Sequence, residues 1–484
     1  MVTTTGWPLT PVRNDREGGM ARRMMRPRTA GRATGRMAWR APSLVLLAAL
    51  AVAGAAVLAR PGTHPRRLAG QVIRKLAPAD PAAGLPGQWG VADMAPPSTD
   101  LTPEQKREVD QLLSLGYAAG ARPRPAQTGV TVNVAGVADD HLLFYVSGHA
   151  PEALLMTRDG DVRHRWHLDY REVLASDPAA FLPPQKNGAA GCWRRARLLP
   201  DGGILAIYEG HALVRLDRDS RLLWAYPGHC HHDIDMDDEG HIWVLTREAG
   251  LSPRLGGSEP VLLDYFSMLD GDGRPVRRVS LLAALESSEF AGLLDCAPRG
   301  GDVFHTNTLE VLDGSLEHLS PLFRKGNILT SIREMDTIAI LDPRTGRIVW
   351  ALTGAWSRQH QPTLLPNGRI LLFDNLGARG HSRVLEVDPF TQQVAWSYGD
   401  GPQQALNSRT CGTEQRLANG NTLVVESDNG RAFEVTPEGL IAGEFRNPRR
   451  AGAHQELIAA VLDLVALPDG FPLDWLGHGQ VAQR

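Results

Sequence analysis

From about residue 140 onward, short apolar runs alternate with tight polar turns in a repeating order. Residues 357–400 show the unit most clearly: SRQHQPTLLP, an Asn367-Gly368 turn, RILLFDN, SRVLEVD, then QQVAWSYGD, which carries an aromatic near its end. Runs of this length bounded by turn residues predict four strands, and Asn-Gly between the first two predicts a hairpin. The order recurs in WRRARLLPDGGILAIYE…ALVRLDRDSRLLWAY, in HHDIDMDDEGHIWVLTRE, in GNILTSIREMDTIAILDPRTGRIVWAL and in CGTEQRLANGNTLVVES…RAFEVTPEGLIAGEF. A weaker first copy ends at DGDVRHRW, and the HHDIDMDDEG copy closes with PVRRVSL. Trp166, Trp224, Trp350, Trp396 and Phe445 fall at equivalent places in the fourth strand. Six copies at a period of roughly 45–60 residues predict an all-β fold, a six-bladed β-propeller of four-stranded blades over 135–450. An open array of sandwiches leaves the once-per-unit aromatic unexplained.

The N-terminal part has a different pattern. Residues 41–59, APSLVLLAALAVAGAAVLA, carry no charge and are long enough to span a bilayer. A leader of residues 1–40 with nine Arg precedes them, so a transmembrane anchor or a cleaved signal helix is expected, with the body exported to the periplasmic or extracytoplasmic side of a bacterial-type envelope. Residues 60–134 read as a linker, rich in Pro, Ala and Gly over 76–102 and carrying a short helix at 102–117, and 451–484 as a C-terminal tail.

Composition narrows the function classes. Fifty Gly and 34 Pro without a collagen period fit a turn-rich β fold. The net charge of −3 combines a basic leader with a mildly acidic body, and that body is a poor match for nucleic acid. Four Cys (Cys192, Cys230, Cys296, Cys411) allow two disulfides in an oxidising compartment, and the absence of any Cys-x-x-Cys argues against a structural zinc.

The first strand of each blade lines a propeller's channel. His360 lies eight residues before Gly368, His232 eight before Gly240, and His305 nine before Gly314, which predicts histidines at one height on three blades. At the end of the second strand, Glu209, Arg247, Arg333, Asn375 and Ser427 form a polar column at the same end of the channel. Glu209 and Ser427 read best there as a solvated rim. Imidazoles on separate blades stand too far apart for metal bonds of ~2 Å, so no metal is expected. Arg333 with Asn307 instead suits the oxygens of a sulfuryl or phosphoryl group, with one neutral His attacking and another protonating the leaving group.

HHDI at 231–234, H-x-N at 305–307, SIR at 331–333, QH at 359–360, FDN at 373–375, SRVLEVD at 382–388 and QRLANGNTL at 415–423 occur in the order that resembles the arylsulfate sulfotransferase family. The resemblance implies ping-pong transfer of a sulfuryl group from a phenolic sulfate ester to a phenolic acceptor, without nucleotide or other cofactor, through a sulfohistidine. By position His360 resembles the nucleophile. His232 or His231, His305, Asn307 and Arg333 resemble its other site residues, with Asn375 and Arg247 beside them. Cys411 and Glu414 stand where the last blade is expected to offer a channel residue, the first blade offers none, and the inserts at 249–262 and 314–325 are placed to reshape the pocket. Two other classes fit a propeller: a membrane-tethered binding module without catalysis, and a metal-dependent, lactonase-like hydrolase. The second uses clustered carboxylates, which are sparse at the aligned channel positions.

Overall fold

The computed structural model describes residues 88–91, 128–181, 189–257, 260–377, 380–401, 403–451 and 457–477. The stretch 41–59 and the helix expected at 102–117 lie outside the described residues. Among those described, no helix is long and apolar enough to cross a membrane.

Six antiparallel sheets form the blades. Blade 2 is Arg195–Leu198, Ile204–Tyr208, Ala212–Leu216 and Leu222–Tyr226. Blade 3 is Cys230–Met236, Ile242–Leu251, Pro260–Leu269 and Pro275–Ser280. Blade 4 is Thr306–Val311, Ile328–Ile332, Thr337–Asp342 and Arg347–Thr353, and blade 5 is His360–Leu364, Ile370–Asp374, Arg383–Val387 and Val394–Tyr398. Blade 6, Thr413–Arg416 to Ile441–Arg446, takes Gly129–Asn133 as a fifth, outermost strand. Blade 1 contains Leu143–Ser147, Glu152–Met156 and Val162–His167, and its innermost strand is Val461–Ala466. The propeller therefore extends beyond 135–450 at both ends, and the stretch expected as a tail fills the channel position that blade 1 lacked in the sequence.

The second and third strands of blades 2, 4 and 5 are buried almost throughout, because each blade is covered on both faces. On blade 2, Ile204, Ala206 and Tyr208 pack toward blade 1, while Leu205 and Ile207 pack toward blade 3. Six such clusters lie between neighbouring blades, and the sixth joins blade 6 to blade 1 through Val425, Phe445, Tyr145 and Leu464, so the ring is closed. The fourth-strand tryptophans also tie blades together. The indoles of Trp166, Trp224 and Trp396 donate to Gly202, Gly271 and Pro437 carbonyls of the next blade at 2.9–3.1 Å.

At the channel each innermost strand has an unpaired edge, and a buried N–H without a partner is costly. Carboxylates of the preceding blade meet several of these groups. Asp233 and Asp235 accept from Leu309 and Val311 N–H (2.9 and 2.8 Å), and Glu310 accepts from Leu364 N–H (2.9 Å). Arg195 stands among them: it pairs with Asp233 of blade 3 (3.0 Å) and Asp463 of blade 1 (2.9 Å), and donates to Gln361 of blade 5. One side chain of blade 2 thus links three other blades across the axis.

The four cysteines are all free thiols, so the expected disulfides are absent. Cys192, Cys230 and Cys411 are buried, and burial pushes the first two up to about 12.

Candidate active site

The site lies where the innermost strands begin. Equal spacing from the turn glycine does not give equal height, because the strands carry bulges of differing position. By pairing, His231 opposite Leu245 corresponds to His360 opposite Phe373, each three residues past the start of the second strand. His232 falls in a bulge with φ 54°, and His305 precedes its strand with φ 50°. Positive φ disfavours a side chain with a Cβ, so these turns are held against a local cost of ~1 kcal/mol or more each. The turn brings His232 against His305, with ring centroids 4.8 Å apart. His231 is turned behind it, its Nδ1 3.0 Å from His232 Nδ1 and its Nε2 3.7 Å from the buried Asp264 carboxylate. Of the two adjacent histidines, His232 is the one that meets His305.

His360 is buried, and its Nδ1 lies 2.7 Å from Asn375 Oδ1 and 3.0 Å from Arg358 O. Asn375 cannot be reversed, because its Nδ2 donates to Ser408 O (2.7 Å) and Cys411 O (2.5 Å). Two acceptors therefore hold the proton on Nδ1, and Nε2, without a partner among the described residues, keeps its lone pair. Burial, then the Arg194 charge, with smaller effects of Arg333 and His305, pushes His360 well below the ordinary histidine range. The sequence points to this direction through neighbouring charge, but burial is the larger cause.

His305 donates through Nδ1 to Asp302 at 2.6 Å, and its backbone N–H reaches the same carboxylate at 3.2 Å. Burial opposes ionisation of Asp302, yet the hydrogen bond with His305 holds its carboxyl below the usual range. Asp302 is fixed by a short parallel pairing with Leu262 of blade 3. Glu209, expected as a loose rim, accepts from His232 N–H (3.0 Å) and lies 3.4 Å from Arg247. Ser427, expected likewise at a solvated edge, is fully buried and accepts from Gly412 N–H (3.0 Å).

Arg333 and Arg358 both pair with Glu334. Asn307 commits one amide hydrogen to Gln359 O (2.8 Å), which steadies the backbone immediately before His360, and Gln359 is itself anchored to Thr337 O (2.8 Å). Glu209, His231 and His232 could each offer one atom to a metal, all within 4.8 Å of one another. The two Nδ1 atoms already engage each other and Arg247 lies beside Glu209, so the surroundings favour an anion over a cation.

The two inserts separate. Residues 249–262 lengthen the hairpin that rises at the site end of blade 3. The 314–325 insert lies at the other end of the channel, beside a cavity of about 580 Å³ lined by Asp235, Asp237, Glu310 and Asp313. A second cavity of about 430 Å³ lies beneath Arg195. Neither is lined by His360, His305 or His232. Asp302, Gln359 and Arg194 were not singled out from the sequence; only the D-x-x-H spacing of 302–305 and the Q of QH signalled the first two.

Residues 195–447, more than half of the chain and all but the first blade, match the arylsulfotransferase (ASST) family. The chain belongs to the arylsulfotransferase family. No curated protein matches it. Among solved structures it is similar to a protein of unknown function from Bacteroides caccae, with 12% identity, a TM-score of 0.42, and coverage of 66% of this chain and 99% of that one. It is also similar to a streptogramin B lyase, with 12% identity, a TM-score of 0.40, and coverage of 70% and 96%. A virginiamycin B lyase from Staphylococcus aureus gives 11% identity, a TM-score of 0.38, and coverage of 70% and 100%. The family is consistent with aryl substrates of small size, and the histidine, asparagine and arginine motifs of this family member converge at one end of its channel.

Proposed function

We propose that this arylsulfotransferase moves a sulfuryl group from a phenolic sulfate ester to a phenolic acceptor by a ping-pong reaction, without a nucleotide donor, through a sulfohistidine at His360. The observation that carries the reading is the fixed ring of His360, whose Nδ1 is tied to Asn375 and Arg358 while Nε2 has no partner among the described residues. Nε2 attacks sulfur and the S–O bond to the aryl oxygen breaks. His305 gives that oxygen a proton, and the Nδ1 proton stays on His360, hydrogen-bonded to Asn375 Oδ1, while the ring carries the sulfuryl group. An acceptor phenol then returns its proton to His305 and takes the sulfuryl group from nitrogen. Such transfer resembles phosphoryl transfer in relying on positioning and charge. A phenolate, with pKa ~10, leaves with modest proton donation, which favours aryl over alkyl esters.

The test is intact-mass analysis after exposure to nitrophenyl sulfate without acceptor. A gain of one sulfuryl group, absent in His360→Ala, supports the reading, and an unmodified wild-type protein refutes it. The compartment is part of the proposal: the uncharged 41–59 stretch behind an Arg-rich leader supports an anchored or exported body. Protection of the propeller from externally added protease in intact cells, lost on opening the outer envelope, tests it.

A further inference from the structure

Arg194 immediately precedes the innermost strand of blade 2, and its backbone is tied by N–H to Ile207 O (2.8 Å). The side chain is buried at 8% exposure, yet the guanidinium has no hydrogen bond, ion pair or ring contact among the described residues. Its neighbours in the site are all matched: Arg247 by Glu209, Arg333 and Arg358 by Glu334, and Arg195 by Asp233 and Asp463. The side chain is mostly enclosed, yet its guanidinium nitrogens are not sealed from solvent, so their unpartnered donors remain open to an anion. The charge acts on the reacting groups of two other blades, since it contributes to lowering both His360 and His232. Arg333, by contrast, already shares a carboxylate, and Asn307 has committed part of its amide.

We propose that Arg194 is the main anchor of the transferring sulfuryl group, gripping its oxygens beside His360 with the planar, paired donors of its guanidinium. The proposal rests on the sulfuryl-transfer reading and names the residue that binds the group. Arg194 then touches the substrate, and the anion supplies the countercharge that the guanidinium lacks among the described residues.

The experiment compares wild type, Arg194→Met and Arg194→Lys in calorimetric binding of naphthalenesulfonate, whose C–S bond cannot transfer, and of neutral naphthol. Loss of a hydrogen-bonded charge predicts sulfonate binding about 10–150-fold weaker in R194M, with naphthol binding within about twofold of wild type and R194K in between. Because the guanidinium has no partner among the described residues, ligand-free R194M is expected to keep a Tm close to wild type, whereas a purely structural arginine would give a lower one. Equal sulfonate affinity in wild type and R194M overturns the anchor, as does a lowered Tm with both ligands weakened alike. Wild type that fails to bind the sulfonate overturns it too. If sulfonate binding depends on Arg194 but no sulfated protein forms from an aryl sulfate, the anchor stands and the transferase reading fails.

Discussion

Asp302→Asn separates proton donation from sulfuryl binding. The aspartate accepts from His305 Nδ1 at 2.6 Å through one oxygen and from the His305 backbone at 3.2 Å through the other. Asparagine keeps the shape and the backbone acceptor but turns an N–H toward Nδ1. His305 then loses the charge-assisted bond that is strongest when it carries both protons, a loss of about 1.5–3 kcal/mol, or about 10–150-fold in a step that needs the imidazolium. The size of the effect should follow the leaving group. Phenyl sulfate releases a phenolate of pKa ~10 and needs the proton, so its sulfation step should slow by the full factor. Nitrophenyl sulfate releases a more stable anion and should slow far less. Rapid-quench intact mass, read with absorbance of the released phenol, measures both in single turnover. Equal slowing of the two donors, or slowing of neither, would refute the role assigned to His305.

Stability should respond to pH from both sides. His231, His232 and His360 are held well below the ordinary range, chiefly by burial, so below pH ~6.5 the unfolded chain takes up more protons and stability falls as pH drops; urea unfolding at pH 7 and pH 5 reads this, and equal midpoints would contradict it. Glu310 shifts the opposite way, with burial raising it from 4.5 to about 8, so its contribution is complete below pH 4.5 and is lost as pH rises through 8. Glu310→Gln keeps an acceptor for Leu364 N–H and should melt above wild type at pH 8 but with it at pH 4.5; no difference at pH 8 counts against the burial argument. Arg195→Met leaves Asp233 and Asp463 buried without their cation and should cost about 3–5 kcal/mol in denaturant unfolding, whereas a change under ~1 kcal/mol would mean the axial pairs are screened.

The architecture was legible because each blade repeats the same physical problem. A turn glycine, two largely buried middle strands and a fourth-strand aromatic recur in most of the blades, blade 3 closing instead on Pro275–Ser280 without an aromatic. SIR, QH and FDN were legible for a related reason, as they sit at the ends of strands whose register the repeat defines. His231 and His232 could not be told apart, since a one-residue bulge reverses which ring faces the cleft. Arg194 precedes its strand and Asp302 lies between blades, so neither inherits a repeat position. VLDLVA at 461–466 has the pattern of any inner strand, but its partner is more than 300 residues away, and pattern alone does not say which edge it joins. The cysteines misled because an even count fixes no distance between thiols.

The inner position of blade 1 is filled by one of the last described segments of the chain. At ~5–20 residues per second of synthesis, Leu143–Ser147 waits roughly 16–64 s for Val461–Ala466 to emerge. Through that interval Arg195 lacks Asp463 and the ring stays open at one seam, with the blade 1 edge available to any passing strand. A chain cut short by a nonsense codon near residue 455 would hold His232, His305 and His360 yet lack the closing strand. Such a product would leave the inner edge of blade 1 unpaired and Arg195 without one of its two carboxylates, so catalytic residues and ring closure are encoded in separable parts of the chain.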